Sequence, residues 1–84
     1  MRYQLVIKPK VIKVLEKINE PDYSAIKASI YNLADNPRPP GCKKLKGRDG
    51  YRIRAGDYRI IYNIFDKTLT IDVVNLGHRK DIYE

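Results

Sequence analysis

Cysteine, histidine and long apolar runs are all scarce in this chain. Cys42 is the one cysteine among 84 residues. A single thiol closes no internal disulfide and builds no cysteine-based zinc site, which excludes the stapled scaffolds of small secreted domains. A reducing cytoplasm is the matching location, with Cys42 as a neutral loop residue. His78 is the one histidine. With only scattered carboxylates beside it, no metal-ligand cluster is visible, and neither a metal nor a cofactor is expected. No apolar run approaches the roughly 20 residues that cross a bilayer. Met1-Arg2-Tyr3-Gln4 leads into a short mixed strand rather than an apolar signal core, so neither a leader nor a membrane partner is expected. There is no glycine-rich phosphate loop, no hydrolase triad and no internal repeat.

Positive charge, by contrast, is plentiful. Lys plus Arg number 17 and Asp plus Glu 10, a net charge of +7. The excess is concentrated. Residues 1–36 carry 6 basic and 4 acidic groups, residues 37–59 carry 8 and 2, and residues 60–84 carry 3 and 4. A net +6 in one short segment points to a polyanionic partner, either nucleic acid, an acidic protein or a membrane surface. A solvated basic face that keeps the protein soluble is the plain alternative.

The chain is long enough for one domain, spanning residues 1–84, with a small core. Tyr3, Leu5 and Ile7 alternate with Arg2, Gln4 and Val6, which predicts a first strand. Pro9 suits the first turn of a helix. Val11, Ile12, Leu15 and Ile18 then recur at helical spacing. Asn19-Glu20-Pro21-Asp22 ends that helix and begins another. Tyr23, Ile26, Ile30 and Leu33 give the second helix a narrow apolar stripe, and Asn36-Pro37 stops it. Residues 37–50 hold three prolines, three glycines and five basic residues, and read as a loop. Tyr51–Ala55 and Tyr58–Phe65 flank Gly56-Asp57, a two-residue turn with glycine first, as type II′ requires. Asp66-Lys67 makes a second tight turn into Thr68–Leu76. The order β-α-α-β-β-β plus a short C-terminal tail implies an α+β fold, a helical hairpin on a small, mostly antiparallel sheet.

The first hairpin turn also fixes which face each side chain occupies. Tyr51, Ile53, Ala55, Tyr58, Ile60, Tyr62 and Ile64 share one face, joined by Leu69, Ile71 and Val73 of the last strand. Arg52, Arg54 and Arg59 fall on the opposite face, with Ile61, Asn63, Val74 and Leu76 around them. Arg54 lies directly across from Arg59. Like charges paired across strands are destabilising. A phosphate between them reverses the sign, because guanidinium forks donate paired hydrogen bonds to phosphate oxygens. Arginines splayed into solvent, or paired with Asp49, Asp57 and Asp72, are the alternative.

Three segments carry a family resemblance: Lys44-Leu45-Lys46-Gly47, then Tyr51-Arg52-Ile53-Arg54-Ala55-Gly56-Asp57-Tyr58-Arg59-Ile60-Ile61-Tyr62, then Gly77-His78-Arg79-Lys80-Asp81-Ile82-Tyr83. Together they resemble the RelE/ParE toxin family, and within it the RelE-like ribonuclease branch. The resemblance covers essentially the whole chain. It implies the toxin of a type II toxin–antitoxin system, a ribosome-dependent endoribonuclease that cleaves mRNA by attack of the 2′-OH on the scissile phosphate. It implies catalytic roles for Arg52, Arg54, Arg59, Arg79 and Tyr83. His78 joins them as a candidate for proton transfer, and Lys43, Lys44, Lys46, Arg48 and Lys80 as RNA-binding residues. The implied partners are the ribosome, mRNA and an acidic, partly disordered antitoxin that folds on binding. The chain departs from the family's ribonucleases in having arginine at positions 52 and 54 where they have lysine. Arginine stabilises a phosphate but does not give up its proton. A ParE-like inhibitor of DNA gyrase, or an inactive relative that binds RNA or antitoxin, are the other readings.

Overall fold

A computed structural model describes residues 2–80. The elements run β1 (Gln4–Ile7), α1 (Pro9–Glu16), α2 (Asp22–Asn32), β2 (Lys43–Lys44), β3 (Tyr51–Ala55), β4 (Tyr58–Phe65) and β5 (Thr70–His78). Five strands make one sheet in the order β1-β5-β4-β3-β2. Only β1 and β5 are parallel. The fold is the α+β arrangement expected, with both helices on one face of the sheet.

Helix α1 buries Val11 and packs Val14 and Leu15 against the core, joined by Ile18 just past its end. Those positions are i, i+3, i+4 and i+7, the stripe that a 3.6-residue period lines up. Ile12 lies off that stripe and remains 44% exposed, so Val14 takes the core place expected of it. In α2 the predicted stripe holds, with Ile26, Ile30 and Leu33 fully covered. These side chains meet Ile53, Ile60, Tyr62, Ile71, Val73 and Leu76 from the sheet.

The β3–β4 register is the one derived from the turn: Ala55 faces Tyr58, Arg54 faces Arg59, Ile53 faces Ile60 and Arg52 faces Ile61. Gly56 has φ +62°, and Asp57 is not left-handed, the combination of a type II′ turn.

The second turn differs from the expected Asp66-Lys67 pair. Phe65 faces Thr70, so Asp66 to Leu69 form a four-residue connection, and Leu69 adopts φ +51° within it instead of joining the core face. The Asp66 carboxylate is engaged on the other side, accepting from Tyr3 Oη at 2.7 Å and Arg38 Nη2 at 3.0 Å. Lengthening the turn by two residues preserves parity, so Ile71 and Val73 still face the helices.

Leu76 is a correction. Tyr62 faces Val73 but Ile61 faces Asn75, with a bulge between them. One extra residue flips every later side chain to the other face. Leu76, expected among the arginines, therefore faces Ile60 and is buried in the main core at 3% exposure. Val74, at the bulge, stays with Ile61 as expected. The segment 37–50, read as a loop, also contains a short strand: Lys43 faces Arg52 and Lys44 faces Tyr51. Among the described residues no helix is long and apolar enough to cross a membrane.

Candidate functional site

The face turned away from the helices carries the charge. Arg52 and Arg54 on β3 and Arg59 on β4 share it, with Lys43 added by β2 opposite Arg52. Arg54 is exposed and Arg59 half-buried, whereas Arg52 is only 4% exposed. A guanidinium is among the groups least often buried; here Arg52 faces Ile61 across the strands.

Ile61 forms a second small core on the outer face with Leu45 and Val74. Leu45 reaches it because residues 45–50 fold back over the sheet. The turn is closed by Leu45 N–H donating to Gly50 O at 3.0 Å. Gly50 has φ +127°, and a Cβ there would meet Asn63 Oδ1 and Leu45 Cδ1 at 3.1 Å each, so only glycine lets the loop lie this close. Sequence reading missed Leu45 as a structural residue. Its one signal was a lone aliphatic between Lys44 and Lys46. Arg52 is largely shielded from water, and charge interactions strengthen where water is excluded.

Arg79 sits at the same end of the sheet. Its N–H donates to Asp57 O at 2.8 Å, and its Nε lies 3.9 Å from Asp57 Oδ1. Gly77, two residues earlier, faces Arg59 across the strands, and Arg79 follows β5 in the turn at that end of the sheet. The hairpin turn thus anchors the segment that follows β5.

His78 is not brought to this face. It pairs with Tyr58, and the two rings meet edge-on at 5.5 Å on the helix side of the sheet. Its Nδ1 accepts from Lys80 N–H at 3.2 Å. Adjacent strand residues point oppositely, so His78, next to the Gly77 that faces Arg59, points away from the arginines. Lys44 also departs from the group. It shares the face of Tyr51, with Nζ 5.5 Å from that ring's centre. Lys46, Arg48 and Lys80 are exposed on the flanking segments. Tyr83 lies outside the described residues.

The segment that carries Lys43 is fixed from below. Tyr62 is fully buried and its hydroxyl donates to Pro37 O at 2.7 Å, with Cys42 Sγ at 3.2 Å. Burial first, then the Cys42 thiol, pushes the Tyr62 hydroxyl well above the ordinary tyrosine range, so it remains a donor. Arg38 in the same segment ties to Asp66 and lies 5.3 Å from the Tyr51 ring centre. Arg38, followed by Tyr3, holds the Asp66 carboxyl below its ordinary value.

Comparison with known proteins identifies the family and the fold. The family model described as ParE toxin of type II toxin–antitoxin system, parDE, matches residues 5–83. A RelE-like toxin protein of Escherichia coli is 31% identical, over 99% of this chain and 92% of its own length. Toxin RelE1 of Methanocaldococcus jannaschii is 28% identical, over 100% of this chain and 98% of its own. Among solved structures, a chain of the archaeal RelE–RelB complex from Pyrococcus horikoshii superposes with a TM-score of 0.84 at 31% identity, covering 98% of this chain and 100% of that one. On these matches the chain belongs to the ParE toxin family, within the RelE/ParE superfamily, and is a RelE-like toxin of a type II toxin–antitoxin system.

Proposed function

We propose that this toxin is a ribosome-dependent endoribonuclease that cuts mRNA, with the arginine face as its phosphate site. The observation that carries this reading is the pairing of Arg54 with Arg59 beside Arg52 on the outer face. Guanidiniums gathered this way present the paired donors that the oxygens of a phosphodiester accept. The relatives named RelE support the same branch.

In this reading the 2′ oxygen attacks the adjacent phosphorus. The new O2′–P bond forms as the P–O5′ bond breaks, leaving a 2′,3′-cyclic phosphate and a free 5′-OH. Arg54 and Arg59 neutralise the pentavalent phosphorane, and Arg52, set in its apolar surround, holds the phosphate from the other side. One such positioned donor typically contributes about 10²–10³ in rate. Arginine does not accept the 2′-OH proton, and His78 faces the helices. In this reading the proton acceptor comes from the ribosome–mRNA assembly, in keeping with a ribosome-dependent reaction. The Tyr83 hydroxyl has the chemistry to protonate the departing O5′. Arg79, tethered to Asp57, adds charge at the edge of the site.

The partner is an antitoxin with acidic, amphipathic segments that covers this face, in keeping with relatives solved as RelE–RelB complexes. Its carboxylates would meet the arginines and its apolar positions the patch of Leu45, Ile61 and Val74. Leu76 is not part of that patch. The place of action is the cytoplasm, where ribosomes are.

The ParE description of the family model favours a second reading, a gyrase poison on the same fold. Induction in cells separates the two. Wild type is expected to arrest growth with mRNA cut inside reading frames, and Arg59→Ala, shown folded by thermal melting, is expected not to. Intact mRNA with accumulated gyrase-cleaved DNA would place the chain in the gyrase class.

A further inference from the structure

The sheet has an open edge beside the arginines. Strand β2 is two residues long and covers β3 only at Tyr51 and Arg52. Past it, a groove of about 390 Å³ runs between β3 and the end of α2. Ser29 and Asn32 line one wall, Pro39 to Gly41 another, and Lys43, Arg52 and Arg54 the side toward the phosphate face. That volume is at the small end of ligand pockets, which span about 300–1,000 Å³.

Two of the polar side chains around it, Ser29 and Asn32, are not spent on each other. Ser29 and Asn32 are i and i+3 on α2 and so point the same way. Among the described residues neither side chain has a hydrogen-bond partner. The main chain adds a third group. In an antiparallel pair, hydrogen-bonded and non-hydrogen-bonded positions alternate. Ala55 and Tyr58 flank the two-residue turn and form a hydrogen-bonded pair, which turns the N–H and C=O of Arg54 toward the groove. An adjacent donor and acceptor on a peptide, and another donor and acceptor on an asparagine amide, match the edge of a nucleobase. The wall of Pro39 to Gly41 is closed by Cys42 N–H donating to Pro39 O at 3.0 Å.

We propose that this groove is a nucleobase subsite, taking the unpaired base of the nucleotide next to the phosphate held by Arg52, Arg54 and Arg59. Adenine is the base expected to fit best, since asparagine pairs with it bidentately. Asn32 and Ser29 are then specificity residues. Arg54 belongs to both sites, its guanidinium to the phosphate and its peptide to the base. The proposal rests on the ribonuclease reading and extends it. A docked strand from a partner protein is disfavoured, because the open edge offers one residue's N–H and C=O with prolines close by.

The experiment titrates the full chain with AMP and with ribose 5-phosphate, following backbone amides by NMR. AMP is expected to move Ser29, Asn32 and Arg54 together, and ribose 5-phosphate only residues of the arginine face. Asn32→Ala, on an exposed helix end, is expected to weaken AMP about three- to tenfold, one hydrogen-bonded contact's worth, and leave ribose 5-phosphate unchanged. Ser29→Ala should act in the same direction. Equal binding of the two probes, insensitive to both variants, would overturn the subsite. So would protection of the Arg54 amide by an alternating Glu-Val octapeptide but not by AMP, which would make the groove a protein-docking edge. Cleavage on ribosomes is scored separately. If it persists while AMP ignores the groove, only the subsite falls. If AMP fills the groove but no RNA is cut, the ribonuclease reading is what fails.

Discussion

Tyr62→Phe isolates one atom on which the basic segment depends. The ring remains, stacked on Tyr51 with centres 5.9 Å apart, so packing is conserved. What is lost is the donor to Pro37 O at 2.7 Å and the contact with Cys42 Sγ at 3.2 Å. The hydroxyl belongs to a fully covered side chain, and water does not readily replace it. Removing one partner of such a bond costs about 1–2 kcal/mol. A domain of this size loses about 4–8 °C in Tm per kcal/mol. The variant should therefore melt well below wild type. A second readout locates the damage. Residues 37–42 lead directly into Lys43, which faces Arg52, so amide exchange at Cys42 and Lys43 should quicken more than exchange in β4 and β5. A Tm within about 1 °C of wild type, with unchanged exchange at those amides, would refute the claim that Tyr62 anchors the segment.

Three further outcomes are expected. Leu76→Ala should cost about 2–4 kcal/mol in urea unfolding, as a buried leucine does, whereas Ile12→Ala should cost less than about 0.5; a small effect at Leu76 would mean the bulge does not turn it inward. Arg52→Ala should lower stability by about 1–3 kcal/mol through its buried stem, and Arg54→Ala by less than about 0.5, while both reduce RNA cleavage. Asp66, with its carboxyl held below the unfolded value of about 3.9, contributes stability that is present above pH 4 or so and is lost as pH falls through the lower folded value; melting of Asp66→Asn should therefore show a weaker fall below pH 4 than wild type.

The sheet and its site were legible in the sequence to different degrees. Gly56-Asp57 is a strong turn signal, and a two-residue turn admits one register, so the faces of β3 and β4 followed directly and with them the grouping of Arg52, Arg54 and Arg59. The bulge at Ile61/Tyr62 carries no glycine or proline to announce it, and Leu76 was placed on the wrong face for that reason. Asp66-Lys67 lacks the residues that pin a tight turn, and the tie from Asp66 to Tyr3 and Arg38 spans 63 and 28 residues of chain, beyond any local pattern. Lys43-Lys44 is too short and too polar to read as a strand; it pairs because β3 offers an edge. Leu45 is one aliphatic in a basic loop, and only the return of that loop over Ile61 and Val74 shows its role. His78 followed from adjacency to Arg79, which in a strand means the opposite face.

The central claim is that the arginine face promotes attack by a ribose 2′-OH. The most direct measurement programs ribosomes with an mRNA carrying a single 2′-deoxy nucleotide 5′ to the mapped cut, beside an all-ribo control. The account predicts that wild-type toxin cuts the control to a fragment ending in 2′,3′-cyclic phosphate, that the deoxy message resists at that bond, and that Arg59→Ala cuts the control about 10²–10³ more slowly. Cleavage of the deoxy message at the same bond, or an Arg59→Ala variant as fast as wild type, would contradict it.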